Sequence, residues 1–209
     1  METPLWLVAM LKGGSRKSTS AIFLAFALAE RGEDVLVVDA DHGTQGVTDW
    51  ATRIHVTGTL LPWHVAQWSP RMGLLVPFVQ QQRRETGARR VLVDVGGEAP
   101  EVLRQIILAA TRVISPAGPE QGELGRLPAT AAIVKPEGVP MSVLLTRVPV
   151  RGGGAARDAR RDLTAGGYDV LATEIEQNRA RYADVWGTVP ADLGSYGDLA
   201  DELLKGEGS

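Results

Sequence analysis

"MLKGGSRKSTSA", residues 10–21, places two lysines five apart around a glycine pair and ends on Ser18-Thr19-Ser20-Ala21. Upstream, "PLWLVAM" (4–10) is a short apolar run of strand length. Downstream, "KSTSAIFLAFALAERG" (17–32) is apolar nearly all round, with Gly32 placed as its C-cap. Strand, glycine-rich turn and helix in that order form the setting in which backbone N–H groups and a helix N-terminus converge on an anion. Gly13 and Gly14 let the backbone approach that anion, and Ser15, Arg16 and Thr19 complete the loop around it. In such a loop Lys17 brings a mobile point charge to the β- and γ-phosphates of a nucleotide, and Ser18 brings a hydroxyl to Mg2+. Composition agrees: of 22 Lys and Arg residues only Lys12, Lys17, Lys135 and Lys205 are lysine, and two of them sit here. A compact ammonium suits a phosphate cradle better than a planar fork does. The alternative is an ordinary strand-turn-helix with solvated lysines.

Further along, apolar runs alternate with helical patterns. The runs are "DVLVVDA" (34–40), "LLPWHVAQW" (60–68), "RVLVDV" (90–95), "TRVISP" (111–116), "MSVLLTRV" (141–148) and "YDVLATEI" (168–175). Between them lie "RMGLLVPFVQQQRRETG" (71–87), "APEVLRQIILAA" (99–110), "ELGRLPATAAIVK" (123–135) and "GAARDARRDLTAGG" (154–167). Most runs are continuous rather than alternating, as strands buried on both faces are. They predict an α/β, doubly wound, mostly parallel sheet of about seven strands with helices on both faces, as one domain over 1–209. "RGGGAA" (151–156) reads as a surface loop, and "GSYGDLADELLKGEGS" (194–209) as a short amphipathic helix with a frayed end.

Bulk composition narrows the function. A chain of 209 residues with 44% hydrophobic and 22% charged residues and 24 glycines is a soluble globular protein with many tight turns. The absence of cysteine excludes disulfides, thiolate metal sites, iron–sulfur clusters and cysteine nucleophiles, and His42, His55 and His64 lack metal-site spacing. A net charge of −3 means that any nucleic-acid contact must come from a local basic patch. "METPLWLVAM" carries no basic leader and reads as a buried strand, and no apolar run reaches the roughly 20 residues of a membrane span. A cytoplasmic protein with no membrane partner is the expectation.

Two strands end on carboxylates: "VLVVDAD" on Asp39 and Asp41, and "RVLVDVGG" on Asp94. Ligands bind at the carboxyl edge of this class of sheet. Three acids there, beside one phosphate loop, fit a site that holds a divalent cation and an attacking water. Singly, each would serve equally well as a helix cap or turn residue.

"KGGSRKST", "VLVVDADHGTQGVTDW", "VLVDVGG" and "VLLTRV", in this order and spacing, resemble the ParA/MinD family of P-loop ATPases with a deviant Walker A motif. Within it the chain is most similar to the small ParA proteins that partition plasmids and chromosomes, and the likeness extends through "RYADVWGTVPADLGSYGDLADELLK". The resemblance implies ATP and Mg2+ as cofactors, slow hydrolysis to ADP and phosphate, and a homodimer formed on ATP binding. It implies that Lys12 reaches the partner subunit's nucleotide, supplying a cation where charge develops on the phosphoryl oxygens, while Lys17 and Ser18 take the ordinary loop roles. Asp94 corresponds to the Walker B aspartate that holds Mg2+ through water. Asp39 and Asp41 correspond to the acidic pair of the first switch, with Asp41 orienting the hydrolytic water.

Thr146 and Arg147 correspond to base or ribose neighbours, or simply to a strand end entering a loop. Pro116 and Pro119 would lie near the nucleotide or the dimer interface. The family's nonspecific DNA contact would fall to Arg151, Arg157, Arg160, Arg161, Arg179 and Arg181, although Asp158 and Asp162 leave a solvated helix as the alternative. Nucleoid association and a ParB-type centromere-binding partner that stimulates hydrolysis complete the implied cycle.

Two departures stand out. Arg16 occupies the position where the family has glycine; it either weakens binding and slows hydrolysis, or turns outward to meet phosphate, a partner or DNA. "DADHGTQG" replaces the family's proline and glutamine, shifting Gln45 by about one residue and leaving His42 as a turn residue. Other activities on the same framework are positioning of a non-DNA cargo, a weakly hydrolysing nucleotide switch, and an ATP-dependent ligase or synthetase. The last lacks a grouped set of polar substrate residues. The acidic tail disfavours the membrane-cycling branch, and the absence of cysteine the nitrogenase-type reductases.

Overall fold

In the computed structural model, which describes residues 3–150 and 154–207, strand and helix alternate along the chain. The elements are β1 (Leu5–Ala9), α1 (Lys17–Glu30), β2 (Val35–Ala40), α2 (Gly46–Val56), β3 (His64–Gln67), α3 (Leu75–Thr86), β4 (Arg90–Val95) and α4 (Pro100–Ile106). There follow β5 (Arg112–Ala117), α5 (Gln121–Leu124), α6 (Leu127–Val134), β6 (Met141–Leu145), α7 (Gly154–Ala165), β7 (Asp169–Val170), α8 (Arg179–Tyr182) and α9 (Tyr196–Lys205). The strands form one seven-stranded sheet in the order β3-β2-β4-β1-β5-β6-β7, every pair parallel. Alternate residues of each strand serve opposite faces. Leu7, Leu36, Val93 and Val143 pack with α3, α4, α6 and α7, whereas Trp6, Val37, Leu92 and Leu144 pack with α1, α2 and α9. This is the doubly wound arrangement that continuous apolar runs predict.

Several boundaries differ from the sequence reading. "LLPWHVAQW" yields only a four-residue edge strand, and "YDVLATEI" only two residues of β7, because an outer strand has a neighbour on one side alone. The helix expected over 71–87 starts at Leu75, because Gly73, at φ 92 and ψ −154, turns the chain after a short 3-10 turn at Pro70–Met72. "ELGRLPATAAIVK" divides into α5 and α6. Gly32 does end α1: in left-handed conformation, its N–H meets the Ala29 carbonyl while Glu33 N–H meets that of Leu28. Pro116 fits within a central strand because the β1 ladder has already ended at Ile114.

The C-terminal end is clamped by a buried cation. Arg90 donates through both terminal nitrogens to Glu207 at 2.9 Å and through Nε to Glu33 at 3.1 Å, with its guanidinium stacked 4.2 Å from the Trp6 ring. Trp6 Nε1 donates to the same Glu207 at 3.1 Å. Glu207→Ala strips a buried guanidinium of its bidentate partner and is expected to cost about 2 kcal/mol. That loss corresponds to a melting temperature lower by roughly 4–8 °C, measured by thermal denaturation.

Candidate functional site

The carboxyl ends of β2, β4 and β1 lie side by side at the middle of the sheet, and the loop after β1 wraps over them. Gly14 (φ 75) and Arg16 (φ 63) are both left-handed, and Arg16 is the N-cap of α1 with no side-chain cap bond. Left-handed backbone costs a non-glycine residue about 1 kcal/mol, so Arg16 is held there against its own preference. An uncapped first turn, with no acidic residue in it, leaves the helix start open to an anion. Lys17 is buried, and its ammonium donates to the Lys12 carbonyl at 3.0 Å, closing the loop on itself; the Ser15 hydroxyl donates to the same oxygen at 3.4 Å. Burial lowers the Lys17 pKa, against the pull of Asp94 and Asp41.

The three strand-end carboxylates occupy different environments. Asp39 and Asp94 are direct partners across β2 and β4. Asp39 Oδ2 accepts from the Thr48 amide at 2.8 Å and the Thr48 hydroxyl at 2.9 Å, and Oδ1 from the Asp41 amide at 3.2 Å. It therefore anchors the start of α2, and both oxygens already have protein partners. Asp41 is half-buried, which pushes its pKa up, yet the Thr44 hydroxyl (2.6 Å) and the amides of Thr44 and Gly43 hold it below the usual range. Asp94 is fully buried, and neither carboxyl oxygen finds a well-formed hydrogen bond. Burial raises its pKa to about 7, and the charges of Asp39 and Asp41 add to that, against the Ser18 hydroxyl and Lys17.

Among the described residues no three His, Cys, Asp or Glu side chains converge to hold an ion by themselves. Of the expected metal set Ser18, Asp39 and Asp94, Asp39 has both oxygens engaged by the start of α2 and the Asp41 amide. Asp94, with two orphaned oxygens beside Ser18, fits a Mg2+ that takes its remaining ligands from water and phosphate.

Gly13, Gly14, Ser15, Arg16, Lys17, Ser18, Thr19, Asp41 and the 42–46 turn, which contains His42 and Gln45, line one cavity of about 1120 Å3. Its far wall is Gly96 to Ala99, Thr48, Asp49 and Trp186. That volume suits a nucleotide. Lys12 lies just outside it, its ammonium 3.2 Å from Glu123 Oε1. Glu123 is a buried hub on α5: it also pairs with Arg147 and accepts the Gly118 amide at 2.7 Å. Arg147 is left-handed (φ 56) and turned toward Glu123 and Glu120, and Thr146 is buried with an unpartnered hydroxyl. Neither Thr146 nor Arg147 lines the cavity, nor does Pro116 or Pro119.

The arginines read as a DNA face are mostly neutralised within the chain. Arg160 is bound to Glu174 (2.8 Å), Arg161 to Asp158 (2.9 Å) and Asp162 (3.0 Å), Arg179 to Asp184 (2.9 Å), and Arg181 to Glu176 and Asp192. Arg157 is exposed with no ion pair among the described residues, and Arg151 lies outside the described residues. Arg160 also donates to the Val170 and Ala172 carbonyls, so it ties α7 to the β7 segment rather than facing solvent with Arg157.

Sequence reasoning passed over four contributors. A Cβ at Gly97 would collide with the Lys12 carbonyl, so the second glycine of "DVGG" is what lets that turn touch the phosphate loop. A Cβ at Gly46 would sit 2.9 Å from Ser18 Oγ. Trp186, donating to Asp49 at 2.7 Å and packed 4.8 Å from Trp50, closes the cavity's side. Only Gly97 carried a local signal; Glu123 is 111 residues from Lys12 in sequence.

A sequence profile described as the CobQ/CobB/MinD/ParA nucleotide binding domain matches residues 6–184. Over 180 residues, 83% of this chain and 78% of the other, the protein is 34% identical to the maintenance of carboxysome distribution protein A of Gloeobacter kilaueensis. Among solved structures it is similar to a Borrelia burgdorferi B31 protein described as a plasmid partition protein and bound to AMPPNP, with TM-score 0.76, 16% identity, and coverage of 99% of this chain and 100% of that one. It is also similar to cobyrinic acid a,c-diamide synthase from Mycobacterium smegmatis with bound ADP and magnesium, with TM-score 0.68, 20% identity, and coverage of 99% and 96%. These two likenesses speak to the fold. The profile spans most of the chain, its residues 6–184 contain the phosphate loop and the strand-end acids, and so the chain belongs to the CobQ/CobB/MinD/ParA family of nucleotide-binding domains.

Proposed function

We propose that this protein is a Mg2+-ATP-dependent positioning ATPase of the ParA type, active as a nucleotide-sandwich homodimer. The observation that carries the reading is one cavity in which Lys17, Ser18 and the uncapped start of α1 face Asp41, with the orphaned Asp94 buried behind Ser18. The AMPPNP of one structural relative and the ADP and magnesium of another support the choice of ligand. Lys17 and the α1 amides bind the β- and γ-phosphates, and Ser18 and Asp94 hold Mg2+. Held there, Mg2+ would neutralise charge on the phosphoryl oxygens. Asp41, kept ionised by Thr44 and Gly43, orients the attacking water. Hydrolysis is slow and is stimulated by a partner protein.

Lys12 reaches the partner subunit's nucleotide only after leaving Glu123, so the in-chain ion pair opposes dimerisation until ATP offers a stronger anion. Glu123→Gln keeps an acceptor for the Gly118 amide and removes the charge. It is expected to tighten ATP-dependent self-association about tenfold, read by light scattering across protein concentration. Lys12→Ala is expected to remain monomeric with ATP.

Two cargoes fit this cycle. The first is plasmid or chromosome DNA, with a ParB-type centromere-binding partner and nonspecific DNA as the track. The second, a protein body moved along the same track, is favoured by the 34% identity to a carboxysome distribution protein. Co-sedimentation with nonspecific DNA tests the shared step. Binding with ATP and not with ADP is expected, while equal binding by Lys12→Ala would contradict it.

A further inference from the structure

The one letter of the phosphate loop that its motif does not explain is Arg16. Its backbone is left-handed, the conformation for which glycine is the natural choice, and still the chain places its longest cation there. The cavity's charge balance gives a reason. The lining carries the carboxylates of Asp41, Asp49 and Glu98, with Asp94 and Asp39 on the strands behind it, against the single buried ammonium of Lys17. Lys17 is already committed to the Lys12 carbonyl, and Lys12 itself to Glu123. A polyphosphate entering one chain therefore meets a site that is net acidic. Arg16 is the other Lys or Arg side chain in that lining, and among the described residues it has no ion-pair partner.

We infer that Arg16 is a built-in counter-ion for the phosphates of the nucleotide, supplied from within the same chain. This rests on the nucleotide reading above and adds to it a residue-specific basis for affinity. A strained backbone is retained because the side chain it carries offsets the acidity of the cavity. One charge-assisted contact of this kind is worth a factor of about 10–100 in affinity.

The test compares wild type, Arg16→Gly, Arg16→Gln and Arg16→Lys by calorimetric titration with Mg2+-ADP and Mg2+-ATP at low and high salt. Arg16→Gly and Arg16→Gln are expected to weaken nucleotide binding 10- to 100-fold, Arg16→Lys less, with the gap narrowing as salt rises. Arg16→Gly is also expected to melt about 2–4 °C higher without ligand, since glycine relieves the left-handed strain, so misfolding cannot mimic the result. Unchanged or tighter binding by Arg16→Gly and Arg16→Gln would overturn the counter-ion role. A folded wild type that binds neither nucleotide would instead overturn the nucleotide reading itself.

Discussion

Lys17→Ala is expected to weaken Mg2+-ATP binding by 100-fold or more and to abolish ATP-dependent self-association. Lys17 is the cation buried inside the loop, and burial has already removed its water, as its lowered pKa records. Its attraction for a phosphate therefore acts in a low-dielectric setting, where it is several times stronger than at the surface. The substitution also removes the ammonium that holds the Lys12 carbonyl at 3.0 Å, so the loop loses its internal closure together with its charge. Two contributions of roughly 1.5 kcal/mol each account for the factor of 100. Calorimetric titration checks the affinity, and circular dichroism checks that the fold persists. A variant binding within threefold of wild type would show that the cavity does not use Lys17.

Asp94→Asn is expected to make the ligand-free protein more stable while removing the effect of Mg2+ on nucleotide binding. The carboxyl is buried without a partner and titrates at about 7 rather than 3.8. A raised folded-state pKa means that the unfolded chain gives up this proton first. Stability from this group is therefore full below about pH 4, declines as pH rises toward 7, and stays at its lowest above that. At 1.36 kcal/mol per pH unit the shift is worth up to about 4 kcal/mol, and asparagine avoids that loss at neutral pH. The expected result is a melting temperature higher by up to about 8–16 °C at pH 8, with little change at pH 4. Unchanged melting at pH 8 would mean that the carboxylate is already satisfied. If Mg2+ improved ATP binding to the variant as much as to wild type, Asp94 would not hold the ion.

How much of this was visible in the sequence depended on how local each cause is. β4 was read with its boundaries because "RVLVDV" is apolar on both faces and stops at a glycine pair. The helix α1 and its Gly32 terminus follow from composition and one left-handed glycine. The helix α2 went unread: it starts at a left-handed Gln45, and the acceptor that secures its first turn is Asp39, on the preceding strand. The same contact engages Asp39, the acid that its place at a strand end had suggested for a metal. Glu123 illustrates the limit most clearly. Nothing around "PEQGELG" marks it as a partner of Lys12, because only the pairing of β1 with β5 brings the two together. The arginines of α7 and α8 were counted as a basic face, yet acids within five residues, or from Glu174 and Asp192, neutralise most of them. Composition reports the charge present, while the fold decides how much of it is free.

The cavity between the 10–19 loop and Asp41 is expected to bind Mg2+-ATP. This binding is tested most directly by the melting temperature of the wild-type protein as ATP is raised at fixed Mg2+, beside Lys17→Ala. Binding to the folded state alone stabilises by about 2.7 kcal/mol at 100 times Kd, a rise of roughly 5–10 °C that grows with the logarithm of ATP concentration. That rise in wild type and its absence in Lys17→Ala is the predicted result. A wild-type melting temperature indifferent to ATP, or an equal rise in Lys17→Ala, would contradict it.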